Sequence, residues 1–385
     1  MKARVLLVIL LALYGCGDSD DDGTSTVRVH PGNSIQAAID AAPPNTTIMV
    51  EPGVYHESPG EPSAVVVTKN GLRLIGLSTP DAPVVLENAG EQRNGLWVSP
   101  ADSVTNGDTE EGEHPPCGTT DELLHGFRLE GFTVRGFAQY GVYLACVDDF
   151  ALTRNLAQDD QVYGLFPVRS HHGTMSDNEA AGTSLDAALY VGQSDHVVIA
   201  DNRSHDNLLG LEIENSSDIT ATGNELFANT AGLIADIMPQ LQKTDQTNVV
   251  IAENNVHDNN RPNTIEEGST SETPSGTGLV VLGGSMVTVR NNTLANNGFQ
   301  GIIVSSYCTG LPMACTGLDI DPNPQDVHVV DNQLVNNGTA ETDPVLAHFA
   351  ADLFWDHVGQ GNCWSGNTPS ARIAVLGGTS LPSCS

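Results

Sequence analysis

Residues 199–236 read IADNRSHDNLLGLEIENSSDITATGNELFANTAGLIAD, and they hold the same short pattern twice. Ile199-Ala200-Asp201-Asn202 and Ala221-Thr222-Gly223-Asn224 are both apolar-x-x-Asn, 22 residues apart. Eight residues after each Asn a glycine opens an alternating stretch, Gly210-Leu211-Glu212-Ile213 and Gly232-Leu233-Ile234-Ala235. A recurrence at this period, with strand-length alternation in each copy, describes one coil of a parallel β-solenoid. One such coil cannot bury its inner face alone; stacked neighbours must supply the core.

The pattern extends outward in both directions. Leu152-Asn155, Met175-Asn178, Ile251-Asn254, Val289-Asn292 and Val329-Asn332 continue it, with Asn spacings of 23, 24, 22, 30, 38 and 40 along the series. Matching strands include Gly141-Val142-Tyr143-Leu144, Ala188-Leu189-Tyr190-Val191, Gly278-Leu279-Val280-Val281 and Gly301-Ile302-Ile303-Val304. The Asn column is read as structural, through turns that tolerate left-handed backbone angles and through amide bonds from coil to coil. The longer spacings mark inserted loops near 238–245, 261–275 and 305–325. Near the front, Ser34 precedes Ile35-Gln36-Ala37-Ala38-Ile39-Asp40-Ala41-Ala42, a short helix with Ser34 as N-cap that Pro43-Pro44 ends. It is expected to cap the open end of the solenoid, ahead of a strand at Thr47-Ile48-Met49-Val50.

The chain divides into three expected parts. Lys2 and Arg4 precede an apolar run, Val5 to Leu13, too short to span a bilayer. Leu13-Tyr14-Gly15-Cys16 then resembles a bacterial lipobox, which makes 1–16 a lipoprotein signal peptide with Cys16 the lipidated residue. Residues 17–26 (GDSDDDGTST) read as an acidic flexible tether, and 27–385 as a single β-helix domain. Gly17 after the cysteine favours the outer membrane, so the expected location is the bacterial cell envelope. Six further cysteines in an exported chain imply three disulfides, with fifteen pairings open. The sequence-near set is expected: Cys117 with Cys146, Cys308 with Cys315, Cys363 with Cys384. A metal site is the alternative, disfavoured because no CxxC pair is present.

The stretch SIQAAIDAAPPNTTIMVEPGVYHE, residues 34–57, together with the coils, resembles right-handed parallel β-helix proteins of the pectin-lyase-like superfamily. The resemblance covers roughly 27–365 and is closest to exported repeat lipoproteins with no assigned role. It implies an all-β, right-handed parallel β-helix. It implies no one activity, because the superfamily holds lyases, hydrolases, uronate epimerases and adhesins. Asp319-Ile320-Asp321-Pro322-Asn323 is partly similar to the Asp-Pro-His-Asp motif of alginate epimerases, but Asn323 and Pro324 replace its last two residues.

With 48 acidic and 15 basic residues the net charge is −33, which argues against a nucleic-acid partner. Reading down equivalent positions of the coils gives two outward columns. One runs Tyr143, Phe166, Tyr190, Glu212, and its rings form a candidate sugar-binding strip. The other brings Glu214 next to Asp236, 22 residues on, with Glu212 two residues from Glu214. Such carboxylates can split into an acid and a base. They can also hold Ca²⁺, so Glu212, Glu214 and Asp236 are a candidate cation site. Arg169 and His172 lie one or two coils before Glu214, as candidates for neutralising a substrate carboxylate and moving a proton. Two functions follow. The favoured one is a non-catalytic surface module binding a polysaccharide or an envelope protein, since no catalytic motif is intact. The alternative is a polysaccharide lyase or uronate epimerase acting on an acidic polysaccharide, with Glu214, Asp236, Glu212, His172 and Arg169 as its catalytic set.

Overall fold

The computed structural model describes residues 25–101, 117, 123–311, 315–339, 346–368, 373–377 and 380–384. The expected signal peptide, Cys16 and most of the tether lie outside them. The first strand, Thr26–Val29, already begins at the last tether residue.

Short strands return at the predicted interval because each coil is cut by three corners. Strands Asp195–Ala200, Arg203–His205 and Leu209–Glu214 make one coil, and Ser217–Thr222, Glu225–Phe227 and Ala231–Asp236 the next. Corresponding strands pair in parallel, so the coils build three sheets that run the length of the described chain. The third sheet contains Leu209–Glu214 and all of the outward columns described above. Between the sheets lies one continuous apolar core, to which the inward residues Leu211, Ile213, Leu233 and Ala235 belong.

The asparagines hold the corners. The Oδ1 of Asn224 accepts from the backbone N–H of Asn202 at 3.0 Å and from its Nδ2 at 2.9 Å. The Asn224 Nδ2 donates back to the Ile199 carbonyl at 2.9 Å and on to Asn254 at 2.9 Å. This relay runs from Asn155 to Asn367. The left-handed residue, however, is the one before each asparagine: Asp177, Asp201, Gly223, Glu253 and Asp331 all have φ between 54° and 69°. The asparagine is selected for its amide, not for its backbone angle. A second ladder, Asn207, Asn229, Asn259, Asn297, Asn337, repeats the arrangement one corner later. It explains why His205-Asp206-Asn207 and His257-Asp258-Asn259 recur. Asp160 stands near the start of this side of the solenoid, its Oδ1 accepting from the Phe137 N–H at 2.9 Å. Burial pushes its carboxyl well above the usual range.

The helix forms as expected over Ile35–Ala41, with the Ser34 hydroxyl accepting from the Ala37 N–H. Glu57 adds a second cap that the sequence reading missed: its carboxylate accepts from the N–H groups of Ile35 and Gln36. Ile35 and Ile39 are buried in the same core as the first coil. The three disulfides join Cys117 to Cys146, Cys308 to Cys315 and Cys363 to Cys384. Among the described residues no helix is long and apolar enough to cross a membrane.

Replacing Asn224 by Ala strands two donors of Asn202, the Ile199 carbonyl and one acceptor site of Asn254. The expected loss is about 3 kcal/mol, read as a lower denaturation midpoint in guanidinium, since each unmet buried group costs about 1–3 kcal/mol and part is recovered by relaxation. The exposed substitution Val198→Ala should change stability by less than about 0.5 kcal/mol.

Candidate functional site

Both outward columns are in register. Tyr143 pairs with Phe166, Tyr190 with Glu212, Glu212 with Ile234, and Glu214 with Asp236. The inserted loops therefore leave the coil alignment intact; they leave and rejoin it at corners.

The aromatic column faces away from the core but is not open to solvent. Tyr143, Phe166 and Tyr190 are at most 1% exposed. Trp97 extends the column one coil earlier, with its ring 4.3 Å from that of Tyr143. Tyr140 and Tyr163 pack across these rings, and Ile265 from the 261–275 loop packs on the same cluster. With both faces covered, these rings present no stacking platform for a sugar, which corrects the expected sugar-binding strip. They build a second apolar cluster outside the solenoid core.

That cluster is one wall of a carboxylate group. The Tyr190 hydroxyl donates to Glu214 at 2.5 Å and the Tyr163 hydroxyl to Asp186 at 2.8 Å. The Tyr190 phenol reaches its partner by crossing Gly192; a Cβ on Gly192 would stand 2.2 Å from the phenol oxygen. Glu212 contacts Asp186, and Asp236 lies on the far side of Glu214. The opposite wall comes from two loops. Ile237, Tyr307 and Ile320 form a small apolar cluster beside Asp236. Asp319 accepts from the Gln240 N–H, tying the 305–325 loop to the 238–245 loop. The acidic motif at 319–323 thus joins two loops.

Burial is the first cause of every shift here. It raises the carboxyls of Glu212 and Asp236 well above their usual range, reinforced by repulsion from neighbouring acids, Asp186 among them. Glu214 is also raised by burial, held back by the Tyr190 hydrogen bond, and titrates at about 7. The residue as a whole is half-buried. Burial and the same acids raise the Tyr163 and Tyr190 phenols, which remain donors. One Glu212 oxygen and one Asp236 oxygen are buried with no hydrogen-bond partner.

Of the residues chosen from sequence, Glu212, Glu214 and Asp236 come together. Their carboxyls turn to phenol and acid neighbours, and among the described residues no group of three or more His, Cys, Asp or Glu is arranged to hold a metal ion. His172 does not join them. The corner at Arg169-Ser170 turns the chain onto the first sheet, where exposed His172 hydrogen-bonds Asp148 at 2.7 Å. Arg169 stays at the corner, 6% exposed, beside the Tyr143 hydroxyl. Asp186, Tyr163 and Tyr307 were missed. Asp186 sits on the corner before strand Ala187–Gly192, outside the alternating columns, and Tyr307 lies in an insertion.

Residues 140–315 match the family model described as a right handed beta helix region. No curated protein matches the chain. Among solved structures, the AlgE4 A-module of mannuronan C-5 epimerase from Azotobacter vinelandii is similar over 89% of this chain and 83% of its own, with 17% identity and a TM-score of 0.60. The periplasmic alginate epimerase AlgG is similar over 92% and 85%, with 18% identity and a TM-score of 0.52. The DFA-IIIase of Arthrobacter chlorophenolicus A6 is similar over 86% and 78%, with 14% identity and a TM-score of 0.53. At these identities the likeness is one of fold, a right-handed parallel β-helix.

Glu214 binds its proton more tightly in the folded chain than in the unfolded one. Its contribution to stability is therefore full below the unfolded value near 4.5 and is lost as pH rises towards about 7. Thermal melting across pH 4–8 should show this decline. Glu214→Gln should make it shallower, by about 1–2 kcal/mol at pH 8 after allowance for solvent screening. An identical slope in the variant would remove Glu214 from this titration.

Proposed function

We propose that this chain is a polysaccharide-acting enzyme whose proton-transferring group is Glu214, held at the bacterial cell envelope by a lipid on Cys16. One arrangement carries the catalytic part: the Glu214 carboxyl accepts from the Tyr190 phenol at 2.5 Å, stands in register with Asp236, and is pushed up to about 7 by burial. A general acid or base works best with its pKa near the working pH. Here the ionised carboxylate accepts a proton from the sugar, and the Tyr190 O–H stabilises it meanwhile. In its protonated form the same group donates. Glu212 and Asp236, both raised by burial, hold negative charge back from the site, and burial itself keeps the Glu214 carboxyl high. The absence of an intact motif favoured a non-catalytic module in the sequence reading; the paired environments of Glu214 and its neighbours favour an enzyme. The polysaccharide class is supported by the known activities named for the epimerase structures of the same fold.

The chemistry is tested by proton NMR of a panel of charged and neutral polysaccharides incubated with the protein. New unsaturated, epimerised or reducing-end signals are expected on at least one. They should fall at least about a hundredfold in rate in Glu214→Gln, within the range attributed to a general acid or base. Unchanged spectra across the panel would return the chain to the binding-module reading.

The address is supported by the basic residues, short apolar run and lipobox-like Leu13–Cys16, and by three disulfides that suit an oxidising compartment. Expressed in a bacterium with labelled palmitate, the chain should carry label and sediment with outer membranes. Cys16→Ser should lose the label and leave the membrane fraction; label retained in the variant would exclude this anchor.

A further inference from the structure

The carboxylate group has no counter-charge. Glu51, Glu87, Glu130, Asp149, Asp195 and Glu225 each meet an arginine or a lysine. Among the described residues Glu212, Glu214 and Asp236 meet none; the side chains that act on them are Asp186, Tyr190 and one another. The two loops that wall the group, 238–245 and 305–325, hold one basic side chain between them. It is Lys243, which is turned to Asp195 and Asp245 at 3.3 and 3.2 Å. The walls therefore share the want of a cation.

Donors are missing as well. Glu212 is 9% exposed and Asp236 5% exposed, and one oxygen of each is buried with no hydrogen bond. Buried polar atoms are nearly always partnered, and buried acids are ordinarily paired too. Glu214 joins the two. It lies two residues from Glu212 on one strand, is the register partner of Asp236 on the next, and is the least buried of the three. A ligand arriving at Glu214 would meet unmet acceptors and no cation. A sugar hydroxyl brings a donor without charge. A carboxylate or sulfate brings neither. A metal ion brings charge, but among the described residues no group is arranged to hold one. The ammonium form of an amino group brings three donors and a positive charge together.

We propose that the polysaccharide is cationic, a polymer of amino sugars with free amino groups, and that an ammonium group of it binds at Glu214 with the unmet oxygens of Glu212 and Asp236 as acceptors. This rests on the enzyme reading above for the ligand being a polysaccharide; the preference for an amine stands on the acids and their walls. The chain's net charge of −33 draws such a polymer and repels an anionic one. Binding also has its own signature. Glu214 is pushed up to about 7, so at about pH 6 it holds a proton that an arriving ammonium displaces.

The full chain is titrated calorimetrically at about pH 6, where an amine of this kind is charged. The probes are oligosaccharides of equal length built from glucosamine, N-acetylglucosamine or a uronic acid, with glucosamine itself and calcium chloride alongside. Each is run in two buffers of different ionisation enthalpy, which counts the protons exchanged. The glucosamine oligomer should bind at least about tenfold tighter than either other oligomer, with net proton release. Asp236→Asn should weaken it at least about tenfold, and Asp177→Asn, at an exposed acid of the first sheet's edge, should leave it unchanged. If Asp236→Asn melts as an unfolded chain, proton release in the wild type decides. Equal or weaker affinity for the amine oligomer would overturn the proposal, as would binding without proton release. An equal loss in both variants would reduce the effect to general attraction and overturn it too. So would calcium or free glucosamine binding as tightly as the oligomer, as a simple cation site. Amine-dependent binding with proton release, by a protein that alters no glycan, would sink the enzyme reading and leave this one standing. Turnover of neutral or uronate polymers with no preference for the amine would do the reverse.

Discussion

Each coil must turn three corners, and each corner leaves peptide groups that neither a strand partner nor water reaches. In this chain the amide side chain of asparagine meets that need at two of the corners, by linking its own coil to the one before and the one after. An apolar residue at the same place would leave several buried donors and acceptors unmet. The parallel sheets depend on this, because their strands are short and in some cases only three residues long. Side-chain amides stacked at a fixed interval set the register that such strands alone would hold weakly.

The site is a product of that register. Glu214 and Asp236 are 22 residues apart in sequence and direct neighbours in the third sheet. Like charges placed so close in a partly dry setting do not all ionise, and protons are retained. The surrounding rings act in opposite senses: they exclude water, which favours the protonated acids, while the Tyr190 phenol donates to Glu214 and favours its ionised form. Charge repulsion across neighbouring coils is a local cost, and it is offset by the core on the other face of the same strands. The insertions join at corners, where extra length costs little. They can therefore wall the site without disturbing the alignment on which it depends.

Much of the architecture was legible because it repeats. The Asn spacing gave the coils, the glycine-led alternation gave the strands of the third sheet, and counting between copies placed Glu214 beside Asp236. The disulfide pairs followed from nearness in sequence. Burial was not legible. Alternation tells which residues face away from the core, but not that Tyr140, Tyr163 and a loop residue cover the outward rings. The left-handed positions were assigned to the asparagines themselves, since the sequence does not show that the amide and the unusual backbone angle are divided between adjacent residues. His172 was grouped with Glu214 by its number, although one corner separates the sheets on which they lie. Asp186 stands at a corner, ahead of the alternation that marks strand Ala187–Gly192, and Tyr307 lies in an insertion, so repetition gives no means of finding either.

The asparagine ladder has a direction. Each backbone N–H donates to the amide oxygen of the following coil, and each amide nitrogen reaches back to a carbonyl of the preceding one. The two ends of any length of this solenoid are therefore unlike. Severed between two coils, the chain would offer donors for the next amide on one cut face and that amide's oxygen on the other. The two fragments would fit one another in a single polarity, while two copies of the same cut face would not match. The same row of amides that fixes the corners gives the rod a head and a tail.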